Sequence, residues 1–115
     1  NILKKYEKVY FVFGIDGLTD DINQKYRIGV RTDLALSNMI ESSKHRYTKW
    51  DFTIFEHNYH QLQDVIDFAK KYKIYMLARI NGRPYSKLDS KKIPLIENIL
   101  KKSNVEEYFL CRKMK

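Results

Sequence analysis

Short runs rich in β-branched and aromatic residues recur along this chain, and each is followed by a stripe of helical period. Val9-Tyr10-Phe11-Val12-Phe13 is closed by Gly14 and Gly17, and Trp50-Asp51-Phe52-Thr53-Ile54-Phe55 is broken at Asn58. Ile74-Tyr75-Met76-Leu77-Ala78 is a third run, and Glu107-Tyr108-Phe109-Leu110-Cys111 a weaker fourth. An apolar run closed by glycine reads as a strand of a parallel sheet, buried on both faces. Between the runs, Thr19 or Asp20 can cap a short helix. A second helix starts at Thr32 or Asp33, carries Leu34, Leu36, Met39 and Ile40, and ends at Ser42-Ser43-Lys44. Leu62, Val65, Ile66, Phe68 and Ala69 form the apolar face of a third, ending near Lys70-Lys71-Tyr72-Lys73. Ile93 to Leu100 is a fourth, with Pro94 tolerated in its first turn. Asn81-Gly82-Arg83-Pro84 reads as a turn. Strand–helix alternation predicts an α/β fold of βαβ units, with about three to four parallel strands. That is too few for a closed barrel, which takes about eight. The expected architecture is therefore a partial (β/α) barrel or a small open α/β domain.

The single cysteine, Cys111, excludes an intrachain disulfide and suits a reducing compartment. No window reaches the roughly 20 apolar residues of a membrane helix. Asn1-Ile2-Leu3-Lys4-Lys5 leads into Tyr6-Glu7-Lys8 without the pattern of a secretory leader, so a cytoplasmic location is expected. The net charge of +8 is uneven. Residues 1–60 hold 9 Lys+Arg against 8 Asp+Glu, and residues 61–115 hold 13 against 6. A basic half can serve a phosphate-rich partner, and a nucleic-acid-binding module without catalytic activity is the rival reading. The lysines come as scattered pairs (Lys70-Lys71, Lys91-Lys92, Lys101-Lys102) on helical segments, however. That is the pattern of solvated helix faces, and nucleic acid is not the expected partner.

In a parallel α/β sheet, ligands sit at the carboxyl ends of the strands. Three segments qualify: Phe13-Gly14-Ile15-Asp16-Gly17, Phe55-Glu56-His57-Asn58 and Arg79-Ile80-Asn81. A carboxylate, an amide and a guanidinium on one rim could grip a polar ligand. Asp-Gly after a strand is equally an ordinary turn. His57 and His60 stand three apart beside Glu56, but no third ligand is spaced to complete a zinc site. No Ser-His-Asp order, P-loop or G-x-G-x-x-G occurs.

Phe13-Gly14-Ile15-Asp16-Gly17-Leu18, Tyr26-Arg27-Ile28-Gly29, Trp50-Asp51-Phe52 and Phe55-Glu56-His57-Asn58-Tyr59-His60-Gln61 together resemble radical S-adenosylmethionine (SAM) enzymes of the SPASM or twitch kind. The resemblance covers about residues 9–83 and rests on the order and spacing of these pieces. It implies an internal fragment of a partial TIM barrel, with residues 1–83 forming strand–helix units around the fourth to sixth. Residues 84–115 would be the end of the barrel or the start of an auxiliary-cluster extension. It implies that Gly14, Asp16, Arg27 and Asn58 lie at the SAM site, with Arg27 pairing the SAM carboxylate. Gly14 stands where many members have Ser, so only backbone contact remains there. Cys111 falls where an auxiliary-cluster ligand could stand; read by itself it is a buried, inert thiol. The family's chemistry is reductive SAM cleavage by a [4Fe–4S] cluster held by Cys-x-x-x-Cys-x-x-Cys. Neither that motif nor the family's Gly-Gly-Glu-like motif is present, and the resemblance places both upstream of Asn1. One thiol cannot hold such a cluster, so this chain by itself is expected to bind no cofactor and to be inactive. The substrate, a peptide or a small molecule, is not written in these residues.

Overall fold

Residues with two heavy atoms on Cβ, or with rings, favour the pleated backbone, and four segments of this kind form the sheet. A computed structural model describes residues 10–23, 31–84 and 86–112. The strands are β1 (Tyr10–Phe13), β2 (Tyr47–Ile54), β3 (Tyr75–Gly82) and β4 (Glu107–Arg112). They pair in the order β1-β2-β3-β4, and every pairing is parallel. The helices are α1 (Asp20–Asn23), α2 (Thr32–His45), α3 (Leu62–Lys71) and α4 (Ile93–Lys102). Short 3-10 turns at Tyr59–Gln61 and Ser90–Lys92 lead into α3 and α4. The expected α/β fold of parallel strands alternating with helices is the one observed, including the weaker fourth strand.

A parallel sheet whose strands follow in chain order has a one-sided consequence. Right-handed crossovers all return over the same face, so the helices share it. The core bears this out. Trp50, Phe52 and Ile54 of β2 and Met76, Ala78 and Ile80 of β3 are buried against Met39 of α2, Val65 and Ile66 of α3, and Ile96 and Leu100 of α4. Along β2 the pattern alternates, with Thr48, Trp50, Phe52 and Ile54 buried and Tyr47, Lys49, Asp51 and Thr53 facing the other way. That second face carries no helix among the described residues. This differs from the two-sided burial expected of the apolar runs: Val12 on β1 is 53% exposed and Phe109 on β4 is 40% exposed. The sheet is thus an arc of (β/α) units, bearing its helices outside as a barrel does. Among the described residues, no helix is long and apolar enough to cross a membrane.

Helix ends follow local chemistry. The Asp20 carboxylate accepts from the backbone N–H of Thr32 at 2.7 Å, satisfying a free amide at the start of α2 and lying below the usual carboxylate range because of that bond. Asp20 therefore caps the following helix. Lys70, Lys71, Lys101 and Lys102 are exposed at the C-terminal ends of α3 and α4, where cations oppose the helix dipole. This accounts for much of the basic half without a ligand.

Asn81-Gly82, a turn by composition, completes β3 instead. Gly82 pairs with Arg112, and a Cβ there would lie 2.6 Å from the Cys111 carbonyl oxygen. Bare backbone is what lets the two strands approach. At the opposite side of the core, the fully buried Trp50 donates its indole N–H to the Ile15 carbonyl at 2.7 Å, fastening the segment after β1 to β2. Trp50→Phe leaves that carbonyl unpaired and a void beside it. The expected cost is about 2–3 kcal/mol in chemical denaturation, with the slope against denaturant unchanged.

Candidate functional site

The strand ends that composition marked as a ligand rim do come together, and backbone chemistry holds them. Asn58 is fully buried just after β2. Its side-chain amide donates to the Asp16 carbonyl at 2.9 Å and to the Thr53 carbonyl at 2.8 Å, and its Oδ1 accepts from Phe55 N–H at 2.7 Å. Three hydrogen bonds use the amide's two donors and one lone pair. The Asp16 side chain, also fully buried, accepts from Thr53 N–H at 3.3 Å. The segments after β1 and β2 are thereby fixed to each other.

Next to this knot the chain passes very close. A Cβ on Gly17 would lie 2.6 Å from Ile22 Cγ2 and 3.1 Å from Gln61 Oε1. The same Gln61 oxygen accepts from Leu18 N–H at 2.9 Å. Asp-Gly is therefore more than an ordinary turn here: glycine is required for contact with α1 and with the turn before α3. Gly14, one residue past β1, is exposed on this rim.

A third loop is clipped on from β3. Ser86, with a left-handed φ of 45°, accepts from Glu56 N–H through its carbonyl at 2.9 Å and from His57 N–H through its hydroxyl at 3.2 Å. That hydroxyl also lies 2.7 Å from His57 Nδ1. The Asn81 amide donates to the carbonyls of Arg83 and Ser86 at 3.3 and 3.4 Å. Glu56 reaches the start of α4 through Lys92 at 2.6 Å, and this hydrogen bond holds the Glu56 carboxyl below its usual range. Lys92 is raised correspondingly, and its ammonium sits 4.4 Å from the Tyr59 ring centre. Of the lysine pairs read as solvated, Lys92 is thus engaged. The Ser86 clip and the Lys92 pair link positions some thirty residues apart, which local pattern does not reveal.

The candidate residues divide accordingly. Gly14, Asp16 and Asn58 share the rim; Arg27 lies outside the described residues. The buried amide of Asn58 is committed to backbone, so its part is to hold the strand ends in place. Cys111 is half-buried near the carboxyl end of β4, paired with Asn81 and two strands away from β2, on whose side of the rim Asp16 and Asn58 lie; its thiol is beside the Arg79 guanidinium. His57 is turned to Ser86, His60 is exposed, and among the described residues no three His, Cys, Asp or Glu side chains gather as a metal site.

The uncovered face of the sheet holds a set of charges, of which the sequence marks only Arg79, as the guanidinium of the third strand end. Arg79 of β3 donates through Nε to Asp51 of β2 at 2.7 Å, and its guanidinium carbon lies 5.1 Å from the Phe109 ring centre on β4. One strand-step away, Lys49 approaches Glu107 at 3.7 Å, and Glu107 accepts from the Tyr75 hydroxyl at 3.1 Å. Burial and that carboxylate raise the Tyr75 hydroxyl's pKa. The alternation Lys49-Asp51-Thr53 is the sequence signal for this polar face.

Neither a family model, nor a curated protein, nor a solved structure matches the chain.

Asn58→Ala strands the Phe55 N–H and two carbonyls, and should cost about 2–4 kcal/mol. Asn58→Asp keeps the shape but aims a carboxylate at two carbonyl oxygens. It should be at least as damaging at neutral pH. Folding raises the pKa of the introduced carboxyl, so its deficit should shrink as pH falls through that raised value, when the group can donate. Denaturant unfolding of both variants between about pH 4 and 7 checks the sign.

Proposed function

We propose that this chain supplies the SAM-holding arc of a radical SAM barrel, the complete enzyme cleaving SAM reductively in the cytoplasm. The observation that carries the reading is the meeting of the two motif loops, Gly14-Ile15-Asp16-Gly17 and Glu56-His57-Asn58, on one rim of a helix-backed parallel arc. The resemblance asks for that rim. A second observation supports it. The uncovered face mixes Lys49, Asp51, Arg79 and Glu107 with Val12, Leu77 and Phe109, a lining that a partly hydrated barrel interior accommodates. The third strand and its continuation through α4 and β4 read as further barrel units.

The residues present fit one of the two cofactors. Gly14 offers exposed backbone at a strand's carboxyl end, where a nucleoside or amino-acid moiety can approach without meeting a Cβ. Asp16 and Asn58 keep that backbone in place, and Arg27 is the residue the resemblance assigns to the SAM carboxylate. SAM, when bound, supplies the carbon–sulfur bond whose reductive cleavage starts the reaction. The [4Fe–4S] cluster does not fit this chain, which has one thiol where three are needed. Cys111, on β4, is read as a structural thiol.

Arg27→Ala in the complete, anaerobically reconstituted enzyme should weaken SAM binding by about ten- to a hundredfold. That is the worth of one charge-assisted contact of roughly 1.5–3 kcal/mol. Thermal unfolding should change little, and Arg27→Lys should recover only part of the loss, because an ammonium lacks the planar fork. Calorimetric SAM titration of the three proteins is the measurement. Unchanged affinity in Arg27→Ala would remove Arg27 from the site.

A further inference from the structure

Arg79 lies on the uncovered face near the carboxyl end of β3, beside Thr53 of β2. Asp51 from β2 takes Nε at 2.7 Å, the Phe109 ring from β4 lies 5.1 Å from the guanidinium carbon, and the Cys111 thiol is its other neighbour. The side chain is 37% exposed. Neighbours on both flanking strands therefore fix the plane of the guanidinium. Its terminal nitrogens meanwhile have no oxygen partner among the described residues. A guanidinium presents five N–H donors in a rigid fork, and the outer edge of that fork matches the two oxygens of a carboxylate.

We propose that the outer edge of the Arg79 guanidinium, pre-oriented by Asp51, Phe109 and the Cys111 thiol, is a carboxylate-binding site for a small molecule lying on the uncovered face of the sheet. Charge balance selects the class. Asp51 and the nearby Glu107 oppose Arg79 and Lys49. A neutral patch of this kind accepts a single negative charge in a directed hydrogen-bond pair and disfavours a phosphate dianion. Phe109 offers apolar surface for the carbon frame beside the carboxylate. The site goes beyond the SAM reading and does not depend on it.

The test is a nitrogen-15 NMR titration of the 115-residue chain, following the Arg79 Nε–Hε resonance. Sodium acetate replaces sodium chloride at constant ionic strength, and inorganic phosphate replaces it in a second series. The expected result is a saturable shift with acetate, with phosphate binding no tighter. In Arg79→Lys, which keeps the charge and loses the fork, affinity read from the shifts of neighbouring amides should fall at least about tenfold. Arg83→Lys, at an exposed arginine past the end of β3, should leave it unchanged. A response that does not saturate or that chloride reproduces overturns the proposal, even if Arg79→Lys fails to fold. So does acetate affinity within about twofold of the parent in Arg79→Lys, and tighter binding of phosphate overturns the carboxylate assignment.

Discussion

One buried amide sets the geometry on which the rest depends. The Asn58 side chain touches no solvent and forms three hydrogen bonds to backbone, two of them from its amide to the carbonyls of Asp16 and Thr53. β1 pairs with β2 over four residues, from Tyr10 to Phe13. Beyond Phe13, Asn58, with Trp50 holding Ile15 and Asp16 holding Thr53 N–H, ties the chain to β2. A buried network that is fully satisfied is rigid, and the loops it holds are the ones a ligand would meet. Rigidity at the rim comes from polar groups, whereas the sheet below is held by apolar packing.

The one-sidedness of the sheet has a second consequence. With α2, α3 and α4 on one face, the described residues of the opposite face interact through the side chains of the strands themselves. Asp51–Arg79 and Lys49–Glu107 cross between strands there, and Tyr47 and Tyr75 rings lie 5.8 Å apart. Half-exposed pairs of this kind contribute little stability, about 0–1 kcal/mol each. Between β1 and α2, Phe11, Phe13, Asn38, Glu41 and Ser42 line an open groove of about 370 Å³.

Most of the fold was legible because parallel strands leave a strong local trace. The apolar runs ending at Phe13, Phe55 and Ala78 mark strands, and the stripe Leu62-Val65-Ile66-Ala69 marks the helix between two of them. The misses share a cause, namely dependence on partners distant in sequence. Asn81-Gly82 carries turn composition, yet β4 extends the ladder past it because Gly82 admits the Cys111 carbonyl. Val12 belongs to an apolar run and still faces open space, since burial depends on where the crossovers go. Asn58 was legible as a strand breaker at the right rim, but its commitment to backbone follows from Asp16, forty-two residues earlier. Arg79 sits at a strand end by sequence; only the register across β2, β3 and β4 places it between Asp51 and Phe109.

The proposed function puts SAM, in the complete enzyme, on the rim built around Asn58. Hydrogen–deuterium exchange on that enzyme, anaerobically reconstituted and compared with and without SAM, addresses it directly. Exchange should slow in peptides covering 14–18 and 56–60 and stay unchanged in those covering 70–75 and 101–106, at the amino ends of the strands. Slowing confined to the amino ends, or unchanged exchange at 14–18 and 56–60 under saturating SAM, would contradict that placement.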